Sequence, residues 1–480
     1  MKNLSGKDYF IGIIEISFIN NLIQILHYNY IKNLALKQNL KIESTKLSEN
    51  FLNPNWGKIK NFYNSYHYPY NKLQRIFRKI IKSYFFNRHL PLNKIILGII
   101  LNKKNISLGS FDELKKEFIF KKKDFYSHIE WIDLINNSRK YEYNNTILEK
   151  KNKNFSNKVI EPMLKLLVKS TITNKYLEGL SCELICSTWK NRINDLNKIQ
   201  LLLKNLETPK KLLVTECGNP FHKVIAASFK GKGTTIINFN HGNNMGLIDQ
   251  SWNQTYMASI CDYYVYETNT IKNAYDDNRD SLTLDFKENI KYISATKSKH
   301  SKQLNYLSFN KKVSNKVMLM GFPMNTTRYT ADVHCFFHYK LKLEMHLLEE
   351  LKKSKYNLVY KAHPDRILEL GAIYRNDVAE IISKKFEKVW MNAGVLIFTY
   401  VSTTTFGFAL SLPIPIVLVE SENIPWIKSR KKILEKRVSF IPNYNNLNYK
   451  QINYETLNKA INEAKKKVNY NAYKQLIGKK

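Results

Sequence analysis

Residues 394–410 read GVLIFTYVSTTTFGFAL. An apolar run, GVLIFTY, has the length and branching of a buried strand. Four hydroxyl residues follow, Ser402, Thr403, Thr404 and Thr405, and helical spacing begins at TTFGFALSL (404–412). A second apolar run, IPIVLVE (414–420), then reads as the next strand. Strand, helix, strand within thirty residues demands a parallel sheet with crossover helices. In such a sheet ligands sit beyond the carboxyl ends of the strands. Hydroxyls and free N–H groups at a helix start suit an anion there. One hydroxyl would be enough for an ordinary N-cap; four in a row favour phosphate. Gly407 allows the helix to come close to the sheet or to a ligand.

The same grammar holds on either side. VMLMG (317–321) reads as a strand, YKLKLEMHLLEELKKS (339–354) as an amphipathic helix and YNLVY (356–360) as a strand, with NDVAEIISKKF (376–386) a helix. YNLVY ends in KAHPDR, which puts Lys361, His363, Pro364 and Arg366 at the edge where the hydroxyl run also lies. His363 can donate to a phosphate oxygen or move a proton, and Pro364 stiffens the turn. The alternative is a plain strand-end cap. Taken as consecutive units of one sheet, the two loops converge on one phosphate-bearing ligand.

An earlier block repeats the pattern. KLLVTEC (211–217), FHKVIAASFK (221–230), TTIINFN (234–240) and DYYVYE (262–267) read strand, helix, strand, strand. His241 and Gly242 follow TTIINFN, and an imidazole at that edge is a candidate general base or a satisfied structural histidine. Glu216, Asn219 and His222 cluster after KLLVT; Glu216 is a candidate acid/base or a group that orients His241. Two Rossmann-like halves result. The expected organisation is an N-terminal domain over 1–300 (helical to 205, with helices at 72–87, 159–169 and 189–205, then Rossmann-like), a second Rossmann-like domain over 301–426, and a basic helical tail over 427–480. ISLGSFDELKKEFI (106–119) reads as a helix start with Ser110 as N-cap and Glu113 three residues on. The polar segment 136–157 reads as a loop.

Composition narrows the class. The 480 residues carry a net charge of +36, from 76 Lys and Arg against 40 Asp and Glu. That excess points to an anionic partner, or to drift in a chain rich in Lys, Asn, Ile and Tyr. Hydrophobic residues make up 44%, enough for sizeable cores. The five cysteines (Cys182, Cys186, Cys217, Cys261, Cys335) form no disulfide framework, which fits a reducing compartment. MKNLSGKDYF lacks the features of a signal peptide, and no stretch has the length and apolarity of a membrane span. Residues 427–480 hold 14 Lys and Arg against 3 Asp and Glu, a solvated helical face or a contact for an anionic membrane surface.

Some signals exclude chemistry. GKG (231–233) precedes a strand instead of opening a helix, on the wrong side for a dinucleotide fingerprint. HCFFH (334–338) and Cys182/Cys186 lack partners at zinc spacing. There is no Asp-x-Asp pair, so no metal and no cofactor is expected. The charge is not organised around a nucleic-acid motif, and nucleic acid is not an expected partner.

A strand ending in HG (241–242), then K-x-H-P (361–364), then S-T-T-x-F-G-x-A-L-x-x-x-x-P-I-V-L (402–418) resembles bacterial surface-polysaccharide transferases of the GT-B fold, relatives of CDP-glycerol glycerophosphotransferases and polysialyltransferases. The resemblance spans roughly 206–425. It departs at Asn243-Asn244, where glycine is usual, and at Ala362, where the relatives carry proline. It implies two Rossmann-like domains facing a cleft; the largely helical N-terminal region lies outside it. It implies that His363, Ser402, Thr403 and Thr404 hold a donor phosphate, that His241 serves catalysis, and that Glu420 reads a ribose or base. It also implies a nucleotide-activated donor, cytidine first, a glycan or glycolipid acceptor, and no metal. The expected location is cytoplasmic, peripheral on the inner face of the membrane. A nucleotide-sugar epimerase of the same fold and a basic nucleic-acid- or polyanion-binding protein remain as alternatives.

Overall fold

The structure is a computed structural model. It describes residues 105–109, 113–122, 124–129, 206–215, 220–240, 245–249, 260–276, 290–295, 314–321, 337–363, 379–401, 403–421, 424–443 and 451–478, with Asn87, Leu90, Pro91, Ile95, Pro162, Leu166, Leu203 and Ala258. The expected helices at 72–87, 159–169 and 189–205, the loop 136–157 and Ser110 lie outside these or touch them at single residues.

Two sheets carry the described fold, each of six strands paired in parallel. The first comprises β1 (Asn105–Leu108), β2 (Ser127–Ile129), β3 (Lys211–Thr215), β4 (Thr235–Phe239), β5 (Tyr263–Tyr266) and β6 (Lys291–Ser294), in the order β2-β1-β3-β4-β5-β6. The second comprises β7 (Lys316–Met320), β8 (Asn357–Lys361), β9 (Glu380–Ile382), β10 (Val395–Phe398), β11 (Ile416–Ser421) and β12 (Ser439–Asn443), in the order β12-β11-β10-β7-β8-β9. Two Rossmann-like α/β units in one chain make the fold GT-B-like.

Buried strands explain the packing. In the first sheet Leu212 and Val214 meet Val224, Ile225 and Phe229 of α2 (Pro220–Lys230) on one face. Leu213, Ile237, Phe239 and Val265 meet Leu114 and Ile119 of α1 (Glu113–Lys122) on the other. α3 (Asn269–Asp276) follows β5, with Thr268 Oγ1 accepting from the Ile271 amide at 3.1 Å. In the second sheet Val317, Leu319, Ile397 and Val419 pack on α4 (Phe337–Lys352) and on α8 (Tyr454–Lys466). Between them in sequence lie α5 (Phe386–Val389), α6 (Thr404–Leu410) and α7 (Lys428–Leu434). The other face, with Met318, Leu396, Phe398 and Leu418, packs on Phe406, Ala409 and Leu410 of α6. That last cluster is continuous with the core of the first half.

Three expectations change. The region before 205 is not wholly helical: ISL (106–108) ends strand β1, which pairs with β3, and the helix of that stretch begins only at Glu113. Residues 376–386 read as a helix; 380–382 are strand β9, which bonds to β8 and shields its edge. The stretch 427–480 is no appended tail. Ser439–Asn443 form the edge strand β12, where Pro442 is tolerated because an edge needs no N–H on its open side. α8 then returns over the second sheet. α9 (Tyr470–Ile477) packs on α3 of the first half, and a Cβ on Gly478 (φ +72°) would lie 1.8 Å from Thr270 Oγ1.

Candidate functional site

Strand order locates the crevices. From β1 the first sheet grows one way to β2 and the other way to β3, so its reversal point lies between β1 and β3. The second sheet reverses between β7 and β10. Ligands in open α/β sheets occupy the carboxyl side of such points.

At the first point Gly109 and Thr215 end their strands, and His222 rises in the first turn of α2, 3% exposed. Gly109 has φ +79°; a Cβ there would stand 2.8 Å from His222 Cε1 and 2.8 Å from the Thr215 carbonyl oxygen. Only glycine lets β1 end against that imidazole. Sequence reasoning found His222 but not Gly109, whose partner is a hundred residues away. Glu216, Asn219, His241 and Gly242 lie outside the described residues, as do Pro364 and Ser402.

Beside them stands a group that sequence reasoning passed over. Asn240, the residue before His241, donates from Nδ2 to Glu267 Oε2 at 3.0 Å and accepts from Tyr264 Oη at 3.1 Å. Its amide also donates to the Val265 carbonyl. Glu267 is a buried carboxylate at the end of β5. Burial, then the neighbouring Tyr266, Tyr275 and Glu267, push the Tyr264 phenol well above its ordinary value. The strand end that leads to His241 is therefore rigidly held.

In the second half Met320, Lys361 and Phe398 lie level across β7, β8 and β10. Paired residues share a face, so Lys361 lies on the side that carries α6, whose Phe406 packs edge-on against Phe398 at 5.0 Å. Glu420, two residues beyond Leu418, which pairs with Phe398, lies on that face too. Lys361, the start of α6 and Glu420 thus share one face and one edge. His363, half-buried, is two residues past Lys361. The His363 loop and the hydroxyl loop are not adjacent units, since β9 intervenes in the chain and β7 in space. They stand roughly 10 Å apart, two strand spacings.

The polar groups divide their labour. Thr403 Oγ1 accepts from the Thr405 amide at 3.2 Å and so caps α6, the ordinary use of such a hydroxyl. Thr404 is exposed and Gly407 is buried inside the helix. Lys361 is 4% exposed, and its Nζ donates to the Ala362 carbonyl at 2.5 Å. Burial depresses its pKa, and Glu387 partly offsets this. Below the folded pKa the ammonium is held at a desolvation cost. Between that value and the ordinary lysine value the unfolded chain binds the extra proton, so stability rises with pH across that window. A phosphate beside Nζ would pull the pKa back up. For any phosphate-bearing ligand taken up there, affinity is therefore expected to fall as pH climbs through the folded pKa, and to lose this dependence in Lys361→Met; calorimetric titration at several pH values measures it.

Glu420 is 5% exposed. Its Oε1 accepts from Trp426 Nε1 at 2.6 Å and from Lys431 Nζ at 2.5 Å. The two halves join here: Ile248 and Trp426 form an antiparallel bridge, the Asp249 amide donates to the Pro425 carbonyl (2.6 Å) and the Ile427 amide to the Leu247 carbonyl (3.0 Å). Arg430, buried, donates to the Met245 and Leu476 carbonyls, each at 2.5 Å. The loop that follows β4 is thus bonded to the loop that follows β11, and the two carboxyl edges meet. Among the described residues no three of His, Cys, Asp or Glu gather to hold a metal ion, and no helix is long and apolar enough to cross a membrane.

No protein-family model matches the chain, and no curated protein matches it in sequence. Among solved structures it is similar to the UDP-N-acetylglucosamine 2-epimerase of Rickettsia bellii (13% identity, TM-score 0.40, covering 78% of this chain and 93% of that one). It is also similar to UGT2 of Phytolacca americana, solved with UDP-2-fluoro-glucose and pterostilbene (9%, 0.36, 81% and 92%). A third is a UDP-glucosyltransferase from Polygonum tinctorium (9%, 0.35, 62% and 77%). These likenesses are remote.

Proposed function

We propose that this chain is a glycosyltransferase-like enzyme. It moves a sugar or sugar-like group from a nucleotide-activated donor, a cytidine nucleotide first, to a surface polysaccharide or glycolipid. The observation that carries this reading is the shared face and edge of Lys361, the α6 start and Glu420, on the side whose core continues into the first half. Lys361 and Glu420 stand three strand spacings, roughly 14 Å, apart across the sheet and two residues, roughly 7 Å, apart along it, a span that a nucleoside with its phosphates covers. A cation at one end suits phosphate and a carboxylate at the other suits ribose hydroxyls.

In this reading Lys361, His363 and the hydroxyls Ser402, Thr403 and Thr404 take up the charge that builds on the leaving phosphate. His241, delivered by the strand end that Asn240 and Glu267 fix, removes the proton of the acceptor hydroxyl. Exposed lysines of 427–480 face the anionic inner leaflet or an acidic glycan. Glu267 also lends support to a second reading, epimerisation of a nucleotide sugar, which needs a carboxylate in the first half. Product analysis separates the two: transfer requires an acceptor, whereas epimerisation proceeds without one.

Thermal stabilisation by CMP, CDP, UDP, GDP and ADP tests the donor site. A nucleotide at about 100 times its dissociation constant adds about 2.7 kcal/mol, and His363→Ala is expected to lose that gain while it keeps the stability of the unliganded chain within about 1 kcal/mol. Absence of stabilisation by every nucleotide would refute the proposal.

A further inference from the structure

Glu420 is not free to adjust alone. The indole N–H of Trp426 and the ammonium of Lys431 both bond to its Oε1. Lys431 also lies over the rings of Trp426 and Phe440, 5.4 and 5.6 Å from their centroids, and those rings meet edge-on at 6.1 Å. Phe440 belongs to β12, next to β11. Side-chain rotation of Trp426 is thus stopped from three directions. The backbone of the same residue is the bridge to Ile248 in the other half, flanked by the Asp249–Pro425 and Leu247–Ile427 bonds.

We propose that Trp426 is a positioning residue that links the two halves of the site. Its side chain sets the Glu420 carboxylate, and its backbone holds residues 247–249 of the first half. The inference rests on the donor reading of Glu420 given above. A ligand that draws on Glu420 then pulls on Trp426, and through it on residues 247–249. Buried charge-assisted hydrogen bonds are short and directional, so small shifts of the carboxylate pass to the indole instead of being absorbed by solvent. Met245 and Gly246 hold successive left-handed conformations (φ 57° and 66°), a state that is unfavourable for a non-glycine residue such as Met245.

Hydrogen exchange on the full chain tests this, with Trp426→Phe as the variant. Phenylalanine keeps the ring against Phe440 and Lys431 and keeps the backbone bridge, but has no N–H for Glu420. Exchange at the Asp249 and Ile427 amides is expected to rise about tenfold, the loss of one hydrogen bond to a charged group. The Asn240 amide, bonded to Val265, is the internal control and stays unchanged. In the native chain a bound nucleotide slows exchange at Asp249 and Ile427; in the variant it does not. A merely structural tryptophan would not make exchange in the first half depend on the nucleotide. Native exchange rates at both amides in the variant, with an intact nucleotide response, would overturn the proposal. Faster exchange in the variant with no nucleotide bound by the native chain would keep the joint and remove the donor reading. Lys431→Met, which leaves the indole in place, is the second variant should Trp426→Phe not fold; it is expected to move the same two amides in the same direction.

Discussion

Arg437→Ala is expected to destabilise the second half by about 3–5 kcal/mol, since each buried acceptor left without a donor costs about 1–3 kcal/mol. Arg437 has no exposed surface. Its Nε donates to the Leu410 carbonyl at 3.2 Å, and its Nη2 donates to those of Leu412 (2.6 Å) and Ile414 (2.9 Å). These carbonyls close the end of α6 and the turn into β11, where no further helical N–H is available. Burial lowers the guanidinium pKa to about 10, opposed by Tyr470, so the charge is present at neutral pH and favours the negative end of the α6 dipole. Arg437→Lys is expected to recover only part of the loss, because a single ammonium cannot spread over three carbonyls. Urea unfolding followed through Trp390 and Trp426 measures both. A loss below about 1 kcal/mol for alanine would mean that water satisfies the turn as well as arginine does.

Gly321→Ala carries the second large expected effect, about 2–5 kcal/mol from overpacking together with a disturbed buried hydrogen bond. A Cβ at Gly321 would sit 2.4 Å from Tyr360 Oη and 2.9 Å from the Lys361 carbonyl oxygen. Tyr360 Oη donates to Glu344 Oε2 at 2.7 Å, and neither residue has any exposed surface. Making room for the methyl moves Tyr360 off Glu344 and strips a buried carboxylate of its donor. It also shifts the end of β8, whose Lys361 carbonyl accepts from the Gly321 amide at 2.9 Å. Loss of nucleotide stabilisation should accompany the loss of fold stability. Gly231→Ala is the control: its nearest neighbour would be 3.5 Å away, ordinary contact, and its effect should stay within about 0.5 kcal/mol. Equal melting temperatures for the two variants would contradict the account.

Much of this architecture is legible in the residues. Runs such as KLLVT, TIINF, VMLM and VLIF are apolar on both faces, as strands covered by helices on both sides must be. The polar breaks at their carboxyl ends mark where chemistry belongs. Strand order is not legible, because nothing local says that β7 lies between β8 and β10. NISL and SHI are too short and too polar to declare themselves as strands, and they owe their state to pairing with β3 and with each other. EII looked helical because Val378, Ile381 and Ile382 have helical spacing, yet the open edge of β8 decided otherwise. Charge misled in the opposite sense at 427–480: its lysines drew attention, whereas Arg437 and Arg430, which bond buried carbonyls across the structure, sit among them unmarked. Glu420 was legible as a strand-end carboxylate; that Trp426 holds it was not.

The contact between α3 and α9 has a consequence for biosynthesis. The two helices are separated by roughly 200 residues of chain, so at about 5–20 residues per second the surface of α3 waits some 10–40 s for its cover. Throughout that interval α3 has the cover of its own half, where Tyr275 stacks on Tyr266 at 5.6 Å, but lacks its contact with α9. The second sheet, whose strands lie between 316 and 443, can assemble during the wait. Completion of the first half is therefore a late event, gated by emergence of residues 470–477, and a nascent chain stalled before them should be the species that chaperones hold.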